Sequence, residues 1–202
     1  MLRIFVPPAQ PVQRDRPPKG PDWLHEVKFD GYRAQLHVRE RPIIYSKNGK
    51  DFSSRFLNIT AVLAGLPCKS AIIDAEIVAC NKEGVPDFRA LYSGNYTQDM
   101  LFAWCFDLLE LNGTDLRPLP LIVRKLKLQT LLRKYDHACL QYSDSFDNPD
   151  GLLRECTKRG LEGIVSKKKN APYRVKGCDW IKVKCAQWKE ANADRGELFR
   201  VK

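Results

Sequence analysis

The chain predicts an α+β fold built mainly from antiparallel sheets, and three observations carry that expectation. Apolar runs of strand length outnumber helical patterns, neighbouring runs are often joined by short turns, and no internal repeat is present. With 202 residues, 44% of them hydrophobic, the chain can bury one core, or a core with a small lobe, without a disulfide or metal staple.

Residues 7–21 hold six prolines and little periodicity, so 1–21 reads as an extended strap ahead of a domain over 22–190 whose core starts at Trp23. Trp23 to Val27 and Ala34 to Val38 alternate apolar and polar residues, which predicts two strands joined as a hairpin through Asp30-Gly31. Ile43 to Ser46 is the next strand, closed by the tight turn Lys47 to Lys50; a short helix over Phe56 to Ala64 ends ahead of Pro67. Ala71 to Cys80 and Leu101 to Leu111 are dense strands, closed by residues 81–84 and by Asn112-Gly113. Leu121, Leu128, Leu131 and Leu132, with basic residues between them, make Pro120 to Tyr135 an amphipathic helix with a basic outer face. Pro149 to Arg159 is a second helix, stopped by Gly160. The strands Gly163 to Lys167 and Trp180 to Cys185 then carry lysines at alternate positions. Beyond them Ala186 to Lys202 is open to being a terminal helix or a frayed end, with 191–202 read as a polar tail.

Composition narrows the partners. No run has the length of a membrane span and the N-terminus lacks a signal-peptide layout, so the expectation is a soluble, intracellular monomer with no membrane partner. Seven cysteines without any CxxC pair argue for reduced thiols over zinc or disulfides. A net charge of +10, from 34 Lys and Arg against 24 Asp and Glu, suits a polyanion such as nucleic acid, with solubility alone as the competing explanation. Lys167, Lys168, Lys169, Arg174, Lys176, Lys182 and Lys184 cluster in one segment, which points to salt-sensitive phosphate contacts.

The chemistry starts at residues 26–33, Glu-Val-Lys-Phe-Asp-Gly-Tyr-Arg, where Lys28 stands just ahead of Asp30-Gly31 and is the candidate covalent nucleophile. A lysine of ordinary pKa, near ~10.4, offers well under ~1% free amine at neutral pH, so this use requires nearby cations or metal. Alone, the octapeptide reads as a charged surface hairpin; four further stretches turn it into a site. Asp74-Ala75-Glu76 puts two carboxylates on one strand face, and Phe106-Asp107 puts an aromatic that could stack on a purine in an apolar strand. Glu162 and Lys167 end one strand, and Lys182 and Lys184 point one way from another. These are the parts needed to attack a nucleotide α-phosphate, and no glycine-rich GxxxxGK loop offers ordinary P-loop chemistry instead.

In order and approximate spacing, EVKFDGYR, SKNGKDF, DAEIVA, FAWCFDLLELNG, EGIVSKKKNAPYR and WIKVKC resemble the successive motifs of the covalent nucleotidyltransferases, specifically ATP-dependent DNA ligases. WLHEVKFDGYR and PLPLIVRK are most similar to the adenylation domain of bacterial LigD-type end-joining ligases, and the resemblance spans roughly residues 22–190. It implies an ATP-grasp-like nucleotidyltransferase domain in which Lys28 forms lysyl-AMP, Glu26 lies beside adenine, Arg33 beside ribose and phosphate, and Phe106 stacks on adenine. It also implies Glu76 on ribose or a metal, Glu162 helping to place the metal, Lys182 and Lys184 on the α-phosphate, Lys167 on the nucleotide, and Lys47 and Arg174 on DNA phosphates. ATP would supply AMP with magnesium or manganese; the partner would be nicked duplex DNA in bacterial end-joining repair, at the nucleoid in the cytoplasm. Two departures stand out. Lys47 occupies a turn where relatives usually carry arginine, and only 18 residues follow Lys184, too few for the OB-fold that follows it in the family. The resemblance therefore implies an intact nucleotide pocket with weakened adenylation and joining unless a separate OB-fold domain or end-joining proteins assist. A non-turnover nucleotide- and DNA-binding module, or an RNA ligase-like enzyme, is the alternative reading.

Overall fold

A computed structural model describes residues 5–82 and 84–195. Two sheets form the frame. The first has the order β1 (Val12–Gln13), β10 (Trp180–Lys184), β9 (Gly163–Lys168) and β2 (Trp23–Lys28); the second runs β4 (Ile43–Ser46), β3 (Tyr32–Val38), β5 (Ala71–Ala79), β6 (Leu101–Leu111) and β7 (Thr114–Asp115), with β8 (Leu140–Tyr142) also on β6. All pairings are antiparallel except β1 with β10 and β6 with β8. Helices α1 (Leu57–Leu63), α2 (Phe88–Ser93), α3 (Leu121–Arg133), α4 (Pro149–Lys158) and α5 (Ala186–Ala191) flank them, so the α+β, mainly antiparallel expectation holds. No helix of the described residues is long and apolar enough to cross a membrane.

The expected hairpin through Asp30-Gly31 is not formed. β2 pairs with β9 in the first sheet whereas β3 pairs with β4 and β5 in the second, so Asp30-Gly31 carries the chain from one sheet to the other. Alternation reports which face of a strand is buried and says nothing about its hydrogen-bonding partner. Gly31 is required there for space: a Cβ would collide with the Ile77 carbonyl of β5.

Side-chain alternation on β5 and β6 divides the interior. Ala71, Ile73, Ala75, Ile77 and Ala79 point into the main core with Phe56, Ile59, Leu63, Leu128, Leu131 and Leu132 of the helical side. Ile72 points the other way, into a second cluster between the sheets with Val6, Ala9, Leu109, Tyr173 and Trp180. On β6 the inward set changes parity, Leu101, Ala103 and Cys105 being followed by Leu108, because the register with β5 shifts between Ile72 and Ile73 and again between Asp74 and Ala75. The residues passed over are Leu109 and Phe106, and both turn to the inter-sheet side. A bulge re-aims a side chain in this way without breaking the strand.

Two further expectations are corrected. The core begins before Trp23: Val6 and Ala9 are buried, the Val6 and Gln35 groups bond mutually, and Ala9 N–H donates to the Tyr173 hydroxyl at 3.0 Å. Nor does α3 present all its basic residues outward. Arg124 is fully buried, forking onto both Asp107 oxygens at 2.7 and 2.8 Å while its Nη1 reaches the Leu119 and Ala171 carbonyls. Desolvating a charge is tolerable only when its lone pairs and donors are all met, as they are here. Arg124→Met should lower the unfolding free energy by about 3–5 kcal/mol, because Asp107 is left buried without its partner, and Arg124→Met/Asp107→Leu should recover part of that loss. Denaturant midpoints at unchanged slope check both; a double variant worse than the single would contradict the pairing argument.

Candidate active site

The last residue of β2 and the first of β9 face each other, Lys28 against Gly163, and Gly163 in turn faces Lys184 of β10. Gly163 has φ +152°, and a Cβ there would collide with the Val183 carbonyl, so only glycine lets the three strands close at this end. The preceding residue, Glu162, is 5% exposed and bridges the flanking lysines: Lys28 Nζ donates to Oε2 at 2.7 Å and Lys184 Nζ to Oε1 at 2.8 Å. Lys28 keeps 22% of its side chain exposed. Its amine therefore sits on a buried carboxylate and remains accessible.

That accessible side opens on a cavity of about 440 Å³ between the two sheets. Of the residues expected in the site, Glu26, Lys28, Arg33, Lys47, Glu76, Phe106, Lys167 and Lys182 line it; Glu162 is tied to it through Lys28, and Lys184 through Glu162. Arg174 does not. It lies in a separate surface depression with Trp23 and Lys168, 3.8 Å from Asp179. The lysine-rich segment accordingly forms no single basic face: strand alternation turns Lys167 inward and Lys168 outward.

Each wall has its own electrostatics. Glu26 is 2% exposed; burial would raise its pKa, but Lys125 at 2.8 Å and Lys167 at 2.7 Å outweigh this and hold it below the usual carboxylate range. The Ser143 hydroxyl adds a third contact at 3.2 Å. Burial, more than Glu26 can offset, lowers Lys167, whose ammonium lies 4.4 Å from the Phe106 ring centre and 4.3 Å from that of Trp180. Arg33 grips Asp74 with two bonds of 3.1 and 2.8 Å and donates to the Ala9 carbonyl, and Tyr173 donates to the same Asp74 at 2.7 Å. Lys182 is shifted down by burial and then by the charges of Lys28 and Lys184, with Lys47 adding to the effect. Lys28, Lys47 and Lys182 thus line the same cavity, with Lys184 near enough to act on Lys182.

Glu76 is the least comfortable group. Burial pushes it up to about 7, Lys28 and Arg33 pull it down, and Glu162 and Asp30 push it further up; its Oε1 accepts the Gly31 N–H at 3.1 Å. Asp30 is likewise raised by burial, although Arg195 bonds it at 2.6 Å. Glu76, Asp30 and Glu162 feel one another electrostatically, and the carboxylate oxygens of Glu76 and Glu162 are the hard donors that suit magnesium or manganese. Among the described residues no three or more His, Cys, Asp or Glu are arranged to hold an ion unaided. Such an ion would take its remaining ligands from phosphates and water, the ordinary habit of magnesium.

Sequence reasoning missed Lys125, Asp30, Trp180 and Arg195. Lys125 was legible in principle, since it follows Leu121 by four residues and precedes Leu128 by three, on the buried face of α3. Arg195 carries no local signal.

A folded value above the usual one makes Glu76 favour its proton on folding. The stability it contributes is full below about 4.5 and is lost as pH rises through about 7. Glu76→Gln stays neutral throughout, so its unfolding midpoint should rise relative to wild type between about pH 5 and about pH 8. A constant offset across that window would contradict the assignment.

The comparisons agree with this geometry. A family described as "ATP dependent DNA ligase domain" matches residues 13–184. The multifunctional non-homologous end joining protein LigD of Pseudomonas aeruginosa is 34% identical over 177 residues, covering 85% of this chain and 21% of that protein. The bifunctional LigD of Bacillus subtilis is 31% identical, covering 87% and 33%, and a probable DNA ligase of Dictyoglomus turgidum is 31% identical, covering 79% and 30%. The chain thus spans between a fifth and a third of the length of these relatives. In fold it is similar to the ligase domain of Mycobacterium tuberculosis LigD, with TM-score 0.74 at 24% identity over 87% of this chain and 60% of that one. A mycobacterial ligase D complexed with ATP gives TM-score 0.70 at 23% identity, covering 86% and 60%. With its motif lysines and carboxylates gathered on one cavity, this chain belongs to the ATP-dependent DNA ligase domain family, as a LigD-like adenylation domain.

Proposed function

We propose that the chain adenylates Lys28 with ATP and passes the AMP to the 5′-phosphate of nicked duplex DNA, for strand joining in bacterial end-joining repair at the nucleoid. The observation that carries this reading is the Lys28 amine held at 2.7 Å on a buried carboxylate and exposed to a cavity that Lys182 also lines.

In the first step the Lys28 Nζ lone pair attacks the α-phosphorus. The P–N bond forms as the bond to the bridging oxygen breaks, and pyrophosphate leaves with the electron pair. Lys28 must shed a proton on the way, and Glu162 is the group in hydrogen-bonding reach to receive it. Lys182 and Lys184 would neutralise charge growing on the phosphoryl oxygens. Glu76 would hold a magnesium or manganese ion that Glu162 helps to place before it takes the proton, and the ion would supply further neutralisation of the phosphates. Glu26 and Lys167 would meet the base, with Phe106 packed against it, and Arg33 would lie by the ribose. In the second step a 5′-phosphate oxygen attacks the same phosphorus, the P–N bond breaks and Lys28 recovers its proton. A 3′-hydroxyl then displaces AMP and closes the strand.

Lys47 lines the cavity and Arg174 lies in the other depression, so the two would contact DNA phosphates at separate points. Lys47 offers a point charge where arginine would offer a fork. Incubation with α-labelled ATP and magnesium should label wild type in acid-labile form, with no label on Lys28→Ala and a strong reduction on chelation of the metal. Equal labelling of wild type and variant would overturn the reading. Label that never reaches a nicked duplex, even beside an added OB-fold domain, would favour a binding module without turnover.

A further inference from the structure

The segment after β10 makes two independent contacts with the Lys28 apparatus. Helix α5 carries Trp188, which packs on the cluster of Leu152, Cys156, Ile164, Val183 and Cys185 and lies 4.4 Å beneath the Lys184 ammonium. Lys184 holds Oε1 of Glu162, whose other oxygen holds Lys28. A few residues on, Arg195 Nη1 donates to Asp30 Oδ2 at 2.6 Å, with only 14% and 18% of the two side chains exposed. Its guanidinium is centred 3.5 Å over the Phe88 ring and 5.3 Å from that of Trp188, so the cation is fixed by stacking as well as by charge.

Asp30 follows Lys28 by two residues and belongs to the crossing between the sheets. The C-terminal segment therefore reaches the nucleophile by two routes: Arg195 holds the side chain of Asp30, two residues after it, and Trp188 supports the lysine that shares its counter-ion. We infer that Arg195 is a positioning residue for lysine adenylation, acting through Asp30. The inference rests on the adenylation reading and adds to it a part of the apparatus outside the cavity, since neither Arg195 nor Asp30 lines the nucleotide space.

The physical consequence of losing Arg195 is specific. Asp30 would remain enclosed with the Glu162 charge nearby and without its bonded cation, so the crossing would move to hydrate it. A shift of that kind carries Lys28 off line for attack, and displacements of about 1 Å can cost about a hundredfold in rate. Nucleotide binding would be spared.

Single-turnover labelling with α-labelled ATP decides the matter on the full chain. Arg195→Ala should label about tenfold or more slowly at saturating ATP, with the half-saturating ATP concentration changed by less than about twofold. Arg195→Lys should be intermediate, because the charge survives without the planar stack, and millimolar guanidinium should partly restore Arg195→Ala. Arg89→Ala is the control: it removes the exposed 3.2 Å pair with Asp194 in the same segment and should label as wild type does. Unchanged or faster labelling of Arg195→Ala, a loss expressed in the half-saturating concentration alone, or an equal loss in Arg89→Ala would each overturn the inference while leaving the adenylation reading intact. A wild type that takes no label defeats the adenylation reading and this inference with it.

Discussion

One buried carboxylate organises this site. Glu162 holds Lys28 with one oxygen and Lys184 with the other, and the three residues come from the strand ends that meet around Gly163. Two ammonium groups would not sit together unaided, and a carboxylate would not stay charged while buried alone. Their mutual neutralisation permits β2, β9 and β10 to end at the same level beside the cavity. The same bridge keeps the candidate nucleophile in a defined place and next to a proton acceptor.

The rest of the molecule supports that point from a distance. Ordinary alternation after Cys105 puts Phe106 on the inter-sheet side and the register shifts on β6 add Leu109 to it, while the alternate residues of β5 send Asp74 and Glu76 there and keep Ile73, Ala75 and Ile77 in the core. Buried ion pairs fix the walls: Arg124 with Asp107 behind β6, Arg33 with Asp74 across β3 and β5, and Glu26 between Lys125 and Lys167. Such pairs contribute little net stability, yet removing either partner strands the other in low dielectric. They act as orientation devices, and the strap over residues 5–14 closes the cavity by the same logic, with the Ala9 carbonyl on Arg33 and the Arg14 N–H on the Lys182 carbonyl.

Much of the scaffold was legible in the sequence because burial writes itself as a period. The strands at Ile43–Ser46 and Leu101–Leu111 and the helix after Pro120 were readable from apolar spacing alone, and most of the motif lysines and carboxylates, though not Arg174, line or adjoin one cavity. What was not legible is pairing. Trp23–Lys28 and Tyr32–Val38 look like neighbours in sequence but lie in different sheets, because nothing local distinguishes a hairpin from a crossing. Lys125 was misread for a related reason: a lysine is assigned to solvent until its partner, here 99 residues away, is known. Asp30 and Arg195, 165 residues apart, pose the same problem.

The central claim is that one lysine among several in the cavity carries the nucleotide. Digestion of ATP-treated protein with trypsin at alkaline pH, which preserves a phosphoramidate, followed by mass spectrometry, tests it directly. The account predicts one added adenylate per chain, found on a peptide that runs through an uncleaved Lys28 to Arg33. Adenylate located on Lys167, Lys182 or Lys184 instead, or spread among them, would contradict it.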